Sequence, residues 1–428
     1  MMHYTQNIDG CFGSAPRLSH DFYQSLLGQA RESIKKIVHQ IDSGDLPAFS
    51  IVNNTDDLPE LTHVAQRFKA MKHVLVLGTG GSSLGGQTLH QLVSLGFAPT
   101  TPAIHYLDNI DPTTFDELLP ALKWQHTGLI IISKSGETAE TLMQMLCLMR
   151  HIEEHHPSFD WSAQVVVITE PKLSTLYTLS EKKNIPIIAH HPKIGGRFSV
   201  FSNVGALPAL IAGVDMSLIR QGAADVLNAL RTQQELAPPV LGAVITTGLY
   251  QQSHIHTCVT MPYLDRLSAF AFWYRQLWAE SLGKDGKGIT PARAMGTVDQ
   301  HSQLQLYLDG PADKMFTIIH GHTERQGLRS SDITSEEPRL AYLHAHTMGS
   351  LLAAECLATI TTLIEHHRPV RVIQINQLTA LELGALLMHF MLETIITADL
   401  MGVDAFNQPA VEQGKILTKV YMSEHFKD

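Results

Sequence analysis

The 428-residue chain has only four cysteines, Cys11, Cys147, Cys258 and Cys356, which lie far apart and form no Cys-x-x-Cys pair. That spacing gives no disulfide framework, and because three of the four fall in apolar periodic segments, they are expected to be reduced core residues. Positive charge is also short: 31 Lys and Arg face 41 Asp and Glu, for a net charge of −10 and a pI near 6.2. Such a balance offers no general field for nucleic acid or an anionic membrane, so any anion must be met by a local site, and a small anionic ligand fits better than DNA. No apolar run of membrane-spanning length escapes interruption by His, Glu or Asp, and the opening MMHYTQNIDG lacks the charged-then-apolar pattern of a leader. The expectation is a cytoplasmic protein with no membrane partner.

Two nucleotide signatures are missing as well. The glycine-rich stretch GTGGSSLGG, Gly78 to Gly86, has no Gly-Lys-Ser/Thr after it, and Gly78, Gly80 and Ser83 miss the third glycine of a dinucleotide fingerprint. What it does have is an apolar strand before it, Val74 to Leu77, and a helical pattern after it carrying Leu89, Leu92 and Val93. The same arrangement recurs at residues 128 to 142, where Leu129 to Ile132 read as a buried strand feeding Ser133, Lys134, Ser135, Gly136 and Thr138. Free backbone N–H groups, hydroxyls and the positive end of a helix are what hold a phosphate. One such loop would look the same as an ordinary strand-to-helix turn capped by Ser and Thr. Two of them after two strands of one sheet favour the anion site.

With 44% hydrophobic content the chain can bury a sizeable core, and its length suits two or three domains. Residues 17 to 43 predict an amphipathic helix. Strands are then expected at Val74 to Leu77, Ile104 to Leu107, Leu129 to Ile132, Val165 to Thr169 and Ile185 to Ala189, most of them separated by helical segments. This alternation implies an α/β fold with a parallel, helix-flanked sheet. The pattern lapses over FSNVGALPALIAGVD and resumes with helices at Leu218 to Leu230 and Val240 to Gln251 and strands at Ile255 to Met261, Met315 to Ile319 and Val370 to Ile375. Long helices are expected over 341 to 367 and 379 to 401. A second parallel α/β unit is the economical reading. The expected division is an N-terminal helical extension (1–60), a first domain (61–215), a second domain (216–405) and a C-terminal segment (406–428). Between the second set of strands a helix, Leu264 to Leu282, ends in WAESLGKDGKG. Glu280 sits in its last turn, facing the negative end of the helix dipole, a setting that favours accepting a proton. Pairing of Glu280 with Lys284 or Lys287 is the alternative.

From about residue 70 to the end the chain resembles the glucose-6-phosphate isomerase family, in its shorter bacterial form with two sugar-isomerase domains of flavodoxin-like type. GTGGSSLGG is similar to that family's first phosphate loop, SKSGETAET to its second, GGRFS to its arginine element, Gln276 with AESLGK to its catalytic glutamate, Gln300-His301 to its histidine, and FNQPAVEQGK to its C-terminal lysine signature. Departures are Gly86, Leu282, Asn407 and Ala410, where the family often has Pro, Asn, Asp and Gly. None of them removes a charged or proton-transferring group.

The resemblance implies reversible conversion of glucose 6-phosphate to fructose 6-phosphate through ring opening and a cis-enediolate, with no metal and no organic cofactor. It assigns ring opening to His301 assisted by Lys415, proton transfer between C2 and C1 to Glu280, and stabilisation of the enediolate charge to Arg197. Phosphate binding falls to Ser82, Ser133, Lys134 (at least through its backbone N–H), Ser135 and Thr138, with Gln276 and Gln408 lining the sugar and Gly80, Gly81 and Gly196 also in the substrate site. Charge-assisted hydrogen bonds contribute roughly 1.5–3 kcal/mol each, so four exceed the roughly 4–6 kcal/mol that submillimolar binding needs. The family's habit also implies a homodimer in which His301 serves the other subunit's site. Two other readings share the phosphate loops: a regulator that binds a phosphosugar without turnover, which the presence of Glu280, His301 and Lys415 disfavours, and an isomerase of a neighbouring substrate such as mannose 6-phosphate or an amino sugar phosphate. The 24 histidines include pairs such as His155-His156, His190-His191 and His366-His367, but adjacent histidines rarely converge on one ion, and helix-end or surface placement accounts for most of them.

Overall fold

Among the described residues there are ten strands, the interior ones formed by runs of β-branched and aliphatic residues: β1 (Tyr4–Asn7), β2 (His73–Leu77), β3 (Ala103–Leu107), β4 (Thr127–Ile132), β5 (Val165–Thr169), β6 (Ile187–Ala189), β7 (Thr257–Pro262), β8 (Thr290–Arg293), β9 (Lys314–Gly321) and β10 (Val370–Ile375). The structure, a computed structural model, describes residues 3–335 and 337–426. Two five-stranded sheets result, in the orders β3-β2-β4-β5-β6 and β1-β10-β9-β7-β8. The first is parallel throughout, and in the second only β1 runs antiparallel, against β10. Helices on both faces explain why β4 is buried at all six positions: Leu129, Ile130, Ile131 and Ile132 each lose their water contact to one side or the other. Each such side chain contributes roughly 1.5–3 kcal/mol of burial.

The second sheet packs on the helix Ala380–Met401, which is long and apolar enough to cross a membrane by composition but has 89% of its apolar window buried inside the fold. Its polar residues are spent on a buried network. Glu393 accepts from Arg371 Nη1 at 2.7 Å and lies 2.9 Å from His389 Nε2, while His389 Nδ1 lies 2.6 Å from the Tyr4 hydroxyl. Burial alone would raise the Glu393 pKa, but Arg371 and His389 hold it below the ordinary carboxylate value. Through Tyr4 this network fixes β1. Residues 1–60, expected as a helical extension, therefore supply an edge strand to the second sheet as well as the helix His20–Asp42, which packs on Pro238–Ser253 and Ala380–Met401.

Three further expectations are corrected. The segment after GGRFS is a helix, Asn203–Ile211, started by Ser202 accepting from the Val204 N–H and containing Pro208. A strand, β8, follows the glutamate helix, which itself begins at Ser268. Cys11, Cys258 and Cys356 are buried as expected, but Cys147 is exposed, on the outer face of the helix Ala139–His155 with its thiol 3.6 Å from Met143 Sδ.

Candidate active site

β2 and β4 are neighbours in register, Leu77 opposite Ile131, so the two loops beyond their carboxyl ends lie side by side. In the first, Gly80 takes a left-handed backbone (φ +54°), and a Cβ there would stand 2.8 Å from Gln276 Nε2. A Cβ on Gly81 would overlap the Gly196 backbone. Glycine is thus required where this turn meets the arginine turn Gly196–Phe198 and the helix Ser268–Leu282. Ser199 closes the junction, its hydroxyl 2.7 Å from the Gly196 carbonyl and 3.1 Å from that of Gly81. Ser82 is half-buried.

In the second loop Ser133 and Thr138 share a hydroxyl hydrogen bond of 2.8 Å, and the Ser133 hydroxyl also accepts from the Gly136 N–H at 3.2 Å. The backbone N–H groups of Lys134, Ser135 and Thr138 have no partner among the described residues, immediately before the N-terminus of a 17-residue helix. Open donors at a helix start are an anion cradle. The Lys134 side chain turns the other way, to Glu170 at 3.6 Å; burial lowers its pKa, with Glu170 opposing.

At the end of the helix Ser268–Leu282, Glu280 is one-third exposed, with one oxygen 2.9 Å from Gln276 Nε2, one turn earlier, and the other 3.2 Å from Arg197 Nη1. Neither lysine of the following loop pairs with it. Lys284 donates to the Ser281 carbonyl at 2.8 Å and to that of Asp404, and Lys287 to the Met401 carbonyl at 2.9 Å, so both fasten the C-terminal ends of two helices. Arg197 is 3% exposed and uses every N–H it has. Nε donates to Ser281 Oγ at 2.9 Å, Nη1 to Glu280 and Gln408, and Nη2 to the carbonyls of Ala405 (2.6 Å) and Asn407 (3.0 Å). Burial lowers its pKa, and Glu280 opposes that shift. A cleft of about 630 Å³ opens beside these groups, between Glu280, Lys284, Asn407, Gln408 and Val411.

Two expected residues are not brought to this cleft. Lys415 lies on the helix Glu412–Glu424, which has no buried residue, and its ammonium pairs with Glu412 at 2.7 Å. His301 follows the turn Val298–Gln300 beyond the carboxyl end of β8, exposed and with no hydrogen bond to its ring among the described residues. The strand that leads to it meets the start of the glutamate helix, the opposite end from Glu280. Arg293, at the end of β8, reaches Ser268 at the start of that helix at 2.6 Å, whereas Glu280 lies twelve residues on, about 18 Å along the axis at 1.5 Å per residue. Sequence reasoning missed Ser281 and Lys284, which hold Arg197 and the 404–408 segment, although both stand inside the motif that pointed to Glu280.

Two helix-flanked, mostly parallel sheets in tandem, with Ser- and Gly-lined loops at the carboxyl end of the first, define the tandem sugar-isomerase fold. Comparison with known proteins agrees with that class. The family model for phosphoglucose isomerase matches residues 55–428, and the chain belongs to that family. It is 36% identical over 386 residues to a glucose-6-phosphate isomerase of Rubrobacter xylanophilus, an alignment covering 88% of this chain and 89% of that one. Among solved structures it is similar to a hypothetical protein of Thermus thermophilus, with a TM-score of 0.84 at 29% identity over 95% of this chain and 99% of that one. A glucose-6-phosphate isomerase of Chlamydia trachomatis shares the fold, with a TM-score of 0.82 at 20% identity over 99% of this chain and 89% of that one.

Proposed function

We propose that the protein is a glucose-6-phosphate isomerase acting in the cytoplasm, in glycolysis and gluconeogenesis. The observation that carries this reading is the position of Glu280: a partly exposed carboxylate held by Gln276 and Arg197 at the edge of a cleft, on a helix that packs against the Gly80–Ser82 turn. A phosphate seated on the open N–H groups after β4 and the hydroxyls of Ser82, Ser133, Ser135 and Thr138 leaves the sugar's C1 and C2 to reach Glu280. The carboxylate takes the C2 proton and returns it at C1. Negative charge on the enediolate oxygens then has Arg197 beside it, which stabilises that charge without surrendering a proton. Gln276 and Gln408 orient the sugar. The chain divides into sugar-isomerase domains at 61–215 and 216–405, with the strand and helix of 1–60 built onto the second and the segment 406–428 carrying Lys415. A coupled assay comparing glucose, mannose and glucosamine 6-phosphates tests the substrate. Turnover confined to another phosphosugar, or none, contradicts the reading.

His301 acts in a homodimer, on the partner's substrate, as the ring-opening acid and base assisted by Lys415. The exposure of His301, which follows a strand that meets the start of the glutamate helix and not its Glu280 end, supports this, and so does the helix Met348–Glu365, whose Met348, Leu351 and Leu357 are exposed although the helix is strongly apolar. If Glu280→Gln and His301→Ala chains are mixed, about half the dimers are hybrid and half of their sites intact, so activity recovers to roughly a quarter of wild type. Recovery no greater than the two parents' sum, with hybrids verified by differential tags, rejects the shared site.

A further inference from the structure

The second phosphate loop carries a carboxylate, Glu137, two residues from Ser135, where a negative charge would oppose a phosphate. In the structure that charge is turned away. Glu137 Oε1 accepts from the Thr175 N–H at 2.6 Å and Oε2 from the Thr175 hydroxyl at 2.9 Å, at the first residue of the helix Thr175–Lys182. The Gly136 carbonyl accepts from the Leu176 N–H at 3.0 Å on the same turn. Gly136 has φ +69°, and a Cβ on it would overlap the Ser174 side chain, so the loop lies flat on that helix start. The Ser135 hydroxyl in turn accepts from the Glu137 N–H at 3.2 Å. One helix N-terminus is thereby filled by protein so that the loop at the next one, at Thr138, keeps its donors open.

From these contacts we infer that Glu137 is a positioning residue for phosphate: by clamping Thr175 it holds the Ser133–Thr138 loop in its anion-binding shape while its own charge is taken up by the second helix. The inference rests on the phosphate role of this loop. A carboxylate merely exposed near the phosphate would have the opposite effect on removal, because losing a like charge tightens an anion.

The test measures KM and kcat for the sugar phosphate, and the competitive inhibition constant of inorganic phosphate, in Glu137→Ala, Glu137→Gln, Thr175→Val and Ser135→Ala. Glu137→Ala raises KM and the phosphate constant together by roughly five- to thirty-fold, with kcat within about twofold. Glu137→Gln, whose amide can accept from the N–H and donate to the hydroxyl, recovers most of this. Thr175→Val, which loses one hydrogen bond, shows a smaller rise in the same direction and serves if Glu137→Ala fails to fold. Tighter or unchanged phosphate binding in Glu137→Ala, alongside weaker binding in Ser135→Ala, overturns the clamp and leaves the phosphate loop standing. An unchanged phosphate constant in Ser135→Ala removes the phosphate role and the inference with it.

Discussion

Replacing Arg197 with lysine keeps the charge and removes the geometry. The guanidinium satisfies five acceptors from two separate parts of the chain: Ser281 and Glu280 on the glutamate helix, and the Gln408 side chain with the carbonyls of Ala405 and Asn407 in the segment beyond Met401. A lysine ammonium has three N–H donors on a single point, so at least two acceptors lose their partner. At roughly 1.5–3 kcal/mol for each hydrogen bond to a charged group, about 3–6 kcal/mol is lost, divided between folding and the transition state. Thermal melts and kcat/KM measured on the same preparation should together recover that sum. We expect a lower Tm and a fall in kcat/KM of roughly a hundredfold or more, mostly in kcat, because the hydrogen bonds of the Arg197 side chain go to the glutamate helix and the 405–408 segment and none to the phosphate loops. A variant with unchanged Tm and kcat/KM within about threefold of wild type would refute the clamp.

Ser135→Ala and Thr138→Ala should each raise KM more than they lower kcat, as each gives up a ground-state phosphate contact; a fall in kcat alone would assign the loop another role. Glu137 also gives a pH dependence. The Thr175 N–H and hydroxyl hold its pKa below the ordinary 4.5, so the stability it contributes is complete above that value and is lost as pH falls through the lowered one. The Tm advantage of wild type over Glu137→Gln should therefore shrink on acidification from roughly pH 6 towards pH 3, and an advantage that grows in acid reverses the sign. Leu357 is 58% exposed on the apolar helix Met348–Glu365, and Leu357→Glu should leave the monomer folded while shifting sedimentation to the monomer and removing activity. An active monomer would separate dimerisation from catalysis.

The interior strands were legible because both faces of each are covered: Val165 to Thr169 and Val370 to Ile375 stand where their aliphatic runs place them. The missed strands are the four-residue edges. Thr290–Arg293 contains Pro291, and Tyr4–Asn7 is polar at every position but Tyr4, so neither has a pattern of its own; each is a strand because β7 or β10 offers it an edge. The helix Asn203–Ile211 was hidden by Gly205 and Pro208, two residues that read as breakers. Gly205 is required there by packing, since a Cβ would overlap the Val200 carbonyl. In the site, the four-residue spacing of Gln276 and Glu280 puts their contact in plain view, as one helical turn. Nothing local announces that Arg197 closes on Ala405 and Asn407, over 200 residues away, or that Lys284 and Lys287 leave Glu280 to bind helix-end carbonyls. Those pairings come from tertiary packing that brings distant segments together, not from any local pattern.

The central claim is that Glu280 moves the proton between C2 and C1. Glucose 6-phosphate deuterated at C2, incubated in ordinary water and followed by NMR, reports that transfer without depending on ring opening as the slow step. Wild type should release the label to solvent as it isomerises. Glu280→Gln, which keeps the side chain's size and can still accept from Arg197 through its one amide oxygen but has no base, should lose label roughly 10²- to 10⁴-fold more slowly while inorganic phosphate still binds as in wild type. Washout at the wild-type rate in Glu280→Gln would contradict the assignment and return the search for the base to the other side chains of the cleft.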